Sequence, residues 1–62
     1  MLNHRQLKKL CKNRTADEAR CLLRSKGMLA SIKGDLLCLQ QPDMRLDKIH
    51  KMYQQCLPAP DL

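Results

Sequence analysis

Large aliphatic residues recur at every third or fourth position through the middle of the chain. Four of them stand at spacings of three, four and three: Leu29, Ile32, Leu36 and Leu39. Such spacing places side chains on one face of an α-helix. No other segment offers as much large aliphatic surface on one face, so this stripe is the expected centre of the core. The pattern predicts that residues 29–40 are helical.

The polar residues before this stripe mark a helix start. Thr15 and Glu18 have the spacing of a capping box, in which the threonine hydroxyl accepts a hydrogen bond from the glutamate N–H and the glutamate side chain reaches back. This pattern predicts a helix that begins at Ala16. Gly27 follows a lysine and has the features of a helix end, yet the apolar spacing continues through it. We expect one helix over about 16–40, and two helices separated at Gly27 are the alternative.

Proline marks the next boundary. Pro42 ends the helix, because the residue before a proline is driven away from helical angles. Proline also suits the first position of a new helix, and apolar residues return at helical spacing as far as Leu57. A second long helix is therefore predicted over 43–57. A short basic helix is predicted over about 3–12, and residues 58–62 are expected to form a frayed tail.

These elements predict an all-α fold in one small domain, residues 1–62. The two long helices would form an antiparallel hairpin, with the basic helix beside it. A chain of 62 residues with no Phe or Trp and a single tyrosine, Tyr53, has little material for a core of its own. A helical hairpin has one face to bury, so we expect two copies to pair into a helical bundle as a homodimer.

The charge of the chain is concentrated at its beginning. The net charge is +6. Residues 1–26 contain eight lysines and arginines against two acidic residues, while residues 27–62 are neutral overall. This asymmetry predicts a basic end that faces an anion. The candidate contacts are Arg5, Lys8, Lys9, Lys12, Arg14, Arg20 and Arg24.

A nucleic acid is the favoured partner of this basic end, since several cations together would neutralise several phosphates. DNA is preferred to RNA. The absence of aromatic residues near these cations argues against stacking of single-stranded bases there. A helix-turn-helix with Gly27 in its turn is disfavoured, because residues 29–40 would make a poor recognition helix. The alternative for the lysines is that they keep a small protein soluble.

Docking on a larger protein is the alternative function. Exposed aliphatic side chains on helices are typical of helix-in-groove contacts and dimer interfaces, and a basic arm can steer a protein toward an acidic protein surface. The chain would then be an inhibitor or adaptor, as phages and mobile elements encode against host proteins. The candidate interface residues are Leu29, Ile32, Leu36, Leu39, Ile49 and Tyr53.

The four cysteines leave three readings open. They stand at Cys11, Cys21, Cys38 and Cys56, with nine, sixteen and seventeen residues between them. Zinc sites bring ligands in with two to four residues between them, a spacing that is missing here. The first pair resembles half of the twin Cys-x9-Cys helical-hairpin proteins of the mitochondrial intermembrane space, which would imply disulfides. The favoured reading is free thiols that pack as small hydrophobic residues, because each cysteine is next to a leucine.

Few residues suggest catalysis or a cofactor. Glu18 is the only glutamate and serves as a helix cap. Cys56 and His50 can be drawn as a nucleophile and its base, but so short a chain has little room for a substrate pocket. We expect no catalytic residues, no metal, no cofactor and no enzymatic activity. The chain lacks the apolar run of a signal peptide or a membrane span, so we predict a cytoplasmic protein, of a cell or an infected host, with no membrane partner.

Overall fold

The computed structural model describes residues 2–60, which form two helices followed by a three-stranded sheet. The helices are α1 (His4–Cys11) and α2 (Ala16–Ser25), and the strands are β1 (Leu29–Lys33), β2 (Leu36–Asp43) and β3 (Lys48–Gln55). The sheet is antiparallel with the order β1-β2-β3. The predicted all-α helical hairpin is therefore wrong, because the second half of the chain is a sheet.

Both helices begin at a side-chain cap. The Thr15 hydroxyl accepts a hydrogen bond from the Glu18 N–H at 3.3 Å, and the predicted start at Ala16 is confirmed. In α1, the Asn3 side chain accepts from the Gln6 N–H at 2.8 Å, and the Gln6 side chain accepts from the Asn3 N–H at 3.0 Å. These reciprocal bonds form a capping box. The short helix predicted over 3–12 is confirmed to within one residue at each end.

Gly27 ends α2. Its φ angle is +80°, in the left-handed region that glycine adopts most readily. The Gly27 N–H donates to the carbonyl of Arg24, and the Met28 N–H donates to that of Leu23, each at 3.0 Å. This pair of bonds is the Schellman motif, which satisfies the last carbonyls of a helix. The continuous helix over 16–40 is thus wrong. Of the alternative of two helices, only the helix end at Gly27 is confirmed, since strands follow it.

Residues 29–40 form a β-hairpin. Leu29 pairs with Gln40 and Lys33 pairs with Leu36, so only two residues connect β1 to β2. The first of them, Gly34, has a φ angle of +66°. Two-residue hairpin turns that follow the twist of the strands need such a positive φ.

The predicted aliphatic stripe divides between the two faces of this hairpin, because successive side chains in a strand point to opposite sides. Leu39 is fully buried and Ile32 is half-buried on the face that packs against the helices. Leu29 lies on the other face, where 73% of its surface is exposed, and Leu36 is half-buried there. The four side chains therefore do not form one apolar surface.

The segment 43–57, predicted as a second long helix, contains the β2–β3 turn and β3. Asp47 in this turn has a φ angle of +52°. Pro42 does not end an element but lies inside β2, paired with Ile49. The last β2 residue that β1 reaches is Gln40. Beyond it, β2 has one strand neighbour instead of two, a position at which the missing N–H of a proline is tolerated.

The core lies between the two helices and one face of the sheet, which we call the inner face. Its largest fully buried side chains are Leu7, Leu23, Leu37, Leu39 and Met52. A single copy encloses these side chains. The predicted helical bundle of two paired hairpins is therefore not needed to bury them.

Hydrogen bonds hold both ends of the described chain. The buried Gln41 side chain accepts from the Leu2 N–H at 2.7 Å and donates to the Leu2 carbonyl at 2.8 Å. Near the other end, the Leu57 N–H donates to the Arg14 carbonyl at 3.0 Å. Of the predicted frayed tail over 58–62, the first three residues are exposed and outside any helix or strand, and residues 61–62 lie outside the described part of the chain.

Candidate nucleic-acid interface

A groove between α1 and β3 collects four of the predicted cationic residues. Its volume is about 580 Å³. The residues that line it are Arg5, Lys8, Lys9, Cys11, Lys12, Gln54 and Gln55. None of them is acidic. We call this cleft the α1 groove.

The amphipathic pattern of α1 explains why its cations gather there. Leu7 and Cys11 form its buried stripe and Leu10 is half-buried, while the other residues of the helix are polar. The exposed cations are Arg5, Lys8 and Lys9 on the helix and Lys12 at its C-cap. The first turn of α1 holds no acidic residue, so no carboxylate there offsets this positive charge.

A second groove, between α1 and α2, places Arg14 near further cations. Its volume is about 570 Å³, and it is lined by Leu2, Gln6, Lys9, Leu10, Arg14, Leu22 and Lys26. The Arg14 guanidinium donates to the Leu10 carbonyl at 2.9 Å, which fixes the side chain at the groove wall. Lys9 lines both grooves, so this surface continues that of the α1 groove.

The remaining two predicted contacts lie elsewhere. Arg20 and Arg24 line a smaller cleft of about 260 Å³ beside residues 28–30. On α2 this flank is opposite the one that carries Leu22, which faces α1. The seven predicted cations therefore do not form one surface: five of them line the two grooves beside α1, and the two arginines of α2 lie apart.

Helices α1 and α2 are joined by four residues, 12–15, and Asn13 in this turn has a φ angle of +59°. A short helix–turn–helix thus exists, but at a different place from the one considered around Gly27. The first turn of α2 carries Asp17 and Glu18, both exposed. Carboxylates at that end would repel phosphates, so α2 is a poor recognition helix and α1 is the stronger candidate.

The sheet face that points away from the helices is open. We call it the outer face, and by strand alternation it carries Leu29, Ser31, Lys33, Leu36, Cys38, Gln40, Pro42, Ile49, Lys51, Tyr53 and Gln55. Of the predicted protein interface, Leu29, Ile49 and Tyr53 are exposed on this face, with exposed fractions of 73%, 64% and 57%. Ile32 and Leu39 point to the core instead, so the predicted set is not one contact surface.

Sequence reasoning missed Gln54 and Gln55 in the α1 groove and the two lysines of the outer face. The sequence of β3 carries no clear signal for them, because its apolar residues Ile49, Met52 and Tyr53 stand at the spacing of a helix face and not at every second position. Only the pairing of the strands places these residues.

All four cysteines are free thiols. Cys11 and Cys56 are both buried, and a chain of backbone bonds places them together: Arg14 donates to the Cys11 carbonyl, and Leu57 donates to that of Arg14. Burial, and then a hydrogen bond with the Cys56 thiol, raise the pKa of Cys11 to about 12. The neighbour of Cys11 is thus Cys56, and none of the four cysteines forms the disulfides that the twin Cys-x9-Cys resemblance implies.

On the outer face, Tyr53 lies directly opposite Cys38 in the strand register. A hydrogen bond with the Cys38 thiol raises the pKa of the Tyr53 hydroxyl.

The rings of His4 and His50 stand edge to face, with their centres 6.4 Å apart. Within residues 2–60, no group of three or more His, Cys, Asp or Glu side chains is arranged to hold a metal ion. Neither of the helices in this part of the chain is long and apolar enough to cross a membrane. Comparison with protein families, with curated proteins and with solved structures found no match.

Proposed function

We propose that this protein is a small, non-enzymatic regulator that binds nucleic acid, with DNA preferred, through the α1 groove. The observation that carries the proposal is the lining of this groove, which holds four cations, two glutamines and no carboxylate. We place the protein in the cytoplasm of a cell or an infected host.

Repulsion between the cations of α1 supports a polyanionic partner. Arg5 and Lys9 stand four residues apart on the helix, a spacing at which like charges destabilise a helix. Lys8 and Lys12, the C-cap residue, add further positive charge. A row of phosphates removes this repulsion and releases condensed counterions. The amide groups of Gln54 and Gln55 add uncharged donors for phosphate or sugar oxygens.

Binding through four phosphate contacts has a defined salt dependence. Each contact with duplex DNA contributes about −0.9 to the slope of log K against log salt, so four contacts predict a slope of about −3.6. Fluorescence anisotropy with a labelled 20-base-pair duplex, titrated at several salt concentrations, measures this slope.

The first prediction compares two variants of equal charge. Lys8→Gln with Lys12→Gln removes two cations from the α1 groove, whereas Arg20→Gln with Arg24→Gln removes two from the far flank of α2. We expect the α1 variant to weaken binding and to make the slope shallower by about 1.8. The α2 variant should keep a slope close to that of the unmodified protein.

Two results would count against this assignment. Equal losses in the two variants would mean that general electrostatic attraction, and not the α1 groove, holds the nucleic acid. No detectable binding to either duplex or single-stranded DNA at low salt would remove the function itself. Circular dichroism of both variants checks that each retains its fold.

A second candidate function is docking on another protein, and the exposure of Leu29, Ile49 and Tyr53 favours it. Apolar side chains this exposed on one sheet face are typical of an interaction surface. The partner would be a second copy, as in a homodimer, or a larger protein with an acidic surface. Nuclease-insensitive capture of one stoichiometric protein partner, lost on Ile49→Lys, would support this function over the first.

A further inference from the structure

The single aromatic residue of the chain lies in the open outer face. Tyr53 is 57% exposed on β3 and lies directly opposite Cys38 of β2. Both helices pack on the inner face, so neither helix covers Tyr53. A flat, exposed aromatic ring on a rigid sheet is a surface on which a nucleic-acid base can stack.

The charged and polar residues around Tyr53 suit a polyanion. The outer face has two charged residues, Lys33 on β1 and Lys51 on β3, and no Asp or Glu. Ser31, Gln40 and Gln55 provide hydroxyl and amide groups, which hydrogen-bond to base edges or sugars. The apolar side chains next to Tyr53 can pack against the flat face of a base without burying a polar group.

The outer face is continuous with the α1 groove. Gln55 belongs to both, since it lies on the outer face of β3 and lines the groove on the other side of the same strand. Strand β3 is an edge of the sheet, so a chain of nucleotides can pass around this edge. Its phosphates would lie beside the α1 cations while its bases reach Tyr53.

We propose that the outer face is a base-stacking platform and that the ligand of this protein is single-stranded DNA. This inference rests on the proposed function of the α1 groove and extends it from backbone contacts to the bases. Duplex DNA cannot use the platform, because its bases are already stacked on one another. The protein therefore discriminates single strands from duplexes through Tyr53.

A second copy of the chain is the competing occupant of this face. A face-to-face dimer would bring Lys33 and Lys51 of both copies into one interface, and the outer-face strand residues include no carboxylate to pair with them. Like charges brought together across an interface are unfavourable. The charge of the outer face thus favours a polyanion over a second copy.

Tyrosine fluorescence gives a direct readout of binding, because Tyr53 is the only tyrosine of the chain and there is no tryptophan. Titration of the full chain with an unlabelled 12-nucleotide dT strand should quench tyrosine fluorescence, and a 12-base-pair duplex should quench it much less. In anisotropy with labelled strands, Tyr53→Leu should weaken single-strand binding by about tenfold, the effect of one lost stacking contact. Tyr53→Phe should retain most of the affinity.

The variants separate the failure of this inference from that of the proposed function. If Tyr53→Leu binds the dT strand with unchanged affinity while Lys8→Gln with Lys12→Gln loses it, the platform is refuted and the α1 groove stands. If neither strand nor duplex binds the unmodified protein, both fail. A concentration-dependent dimer in sedimentation that dissociates on Ile49→Gln and excludes the dT strand would assign the outer face to a second copy and overturn the inference.

Discussion

Burial changes the acid–base chemistry of one thiol. Cys11 is 3% exposed and packs in the core cluster with Cys56, so its thiolate would be shielded from water. Removal from water, and then the hydrogen bond with Cys56, raise the pKa of Cys11 to about 12. The folded protein therefore keeps this thiol protonated between about pH 9 and pH 12, where an unfolded chain releases its proton.

This difference predicts that alkaline pH destabilises the fold. A group that binds its proton more tightly in the folded state contributes stability below the unfolded pKa, and that contribution is lost as pH rises toward the folded pKa. The free energy of unfolding should be constant near pH 7.5 and fall from about pH 9 upward. Urea unfolding under reducing conditions between pH 7.5 and 10.5 measures the decline.

Two alanine variants control this experiment. Cys11→Ala removes the titrating group, so the decline above pH 9 should become shallower even though the cavity lowers stability at every pH. Cys21→Ala removes an exposed thiol and should leave the pH dependence unchanged. A decline that is equally steep in Cys11→Ala would assign the alkaline effect to other groups.

At the scale of the elements, two glycines with positive φ lie where one element ends and the next begins. Gly27 ends α2 and Gly34 turns β1 into β2, with φ angles of +80° and +66°. No atom lies within 4 Å of a Cβ built at either position. A side chain at these sites would therefore cost backbone strain alone, without a clash.

Substitution of Gly34 tests this cause. Gly34→Ala should lower the free energy of unfolding by about 1 kcal/mol, since alanine disfavours a positive φ. Gly34→Asn should cost less, because asparagine adopts this region more readily than other side chains do. Denaturant unfolding of both variants measures the difference. Equal losses in the two would point to a steric cost and contradict the open space around the turn.

At the scale of the whole molecule, the features that could be predicted from the sequence are those that depend on neighbouring residues, such as the start and the end of α2. The start at Ala16 follows from the Thr15 cap, and the helix end follows from Gly27, one of the two alternatives considered. The sheet was missed because residues 36–39 form a short apolar run, which periodicity alone cannot distinguish from part of a buried helix. The glycine–aspartate pair at residues 34–35 is a hairpin signal that the helical interpretation did not take into account.

The candidate site could be predicted only in part for a similar reason. The cations of α1 are neighbours along one helix, so their common surface follows from the sequence. Gln54 and Gln55 reach the α1 groove from β3, more than forty residues away, and only the tertiary fold brings them there. The separation of Arg20 and Arg24 from the other cations likewise depends on how α2 packs.

The two ends of the former stripe provide a test of the whole fold. On a helix, Leu29 and Leu39 would be about equally buried; in the sheet, Leu39 is fully buried and Leu29 is 73% exposed. Leu39→Ala should therefore cost about 2–5 kcal/mol of unfolding free energy, whereas Leu29→Ala should change it by less than about 0.5 kcal/mol.

Because so small a domain has little stability to lose, Leu39→Ala can be unfolded at room temperature. Leu39→Met keeps the volume of the side chain and should cost less than about 1.5 kcal/mol, so it remains measurable by urea unfolding. A sheet with one buried and one exposed face predicts a large loss of unfolding free energy for Leu39→Ala, a small loss for Leu39→Met and almost none for Leu29→Ala. Similar losses of unfolding free energy for Leu39→Ala and Leu29→Ala would instead support the single helical stripe.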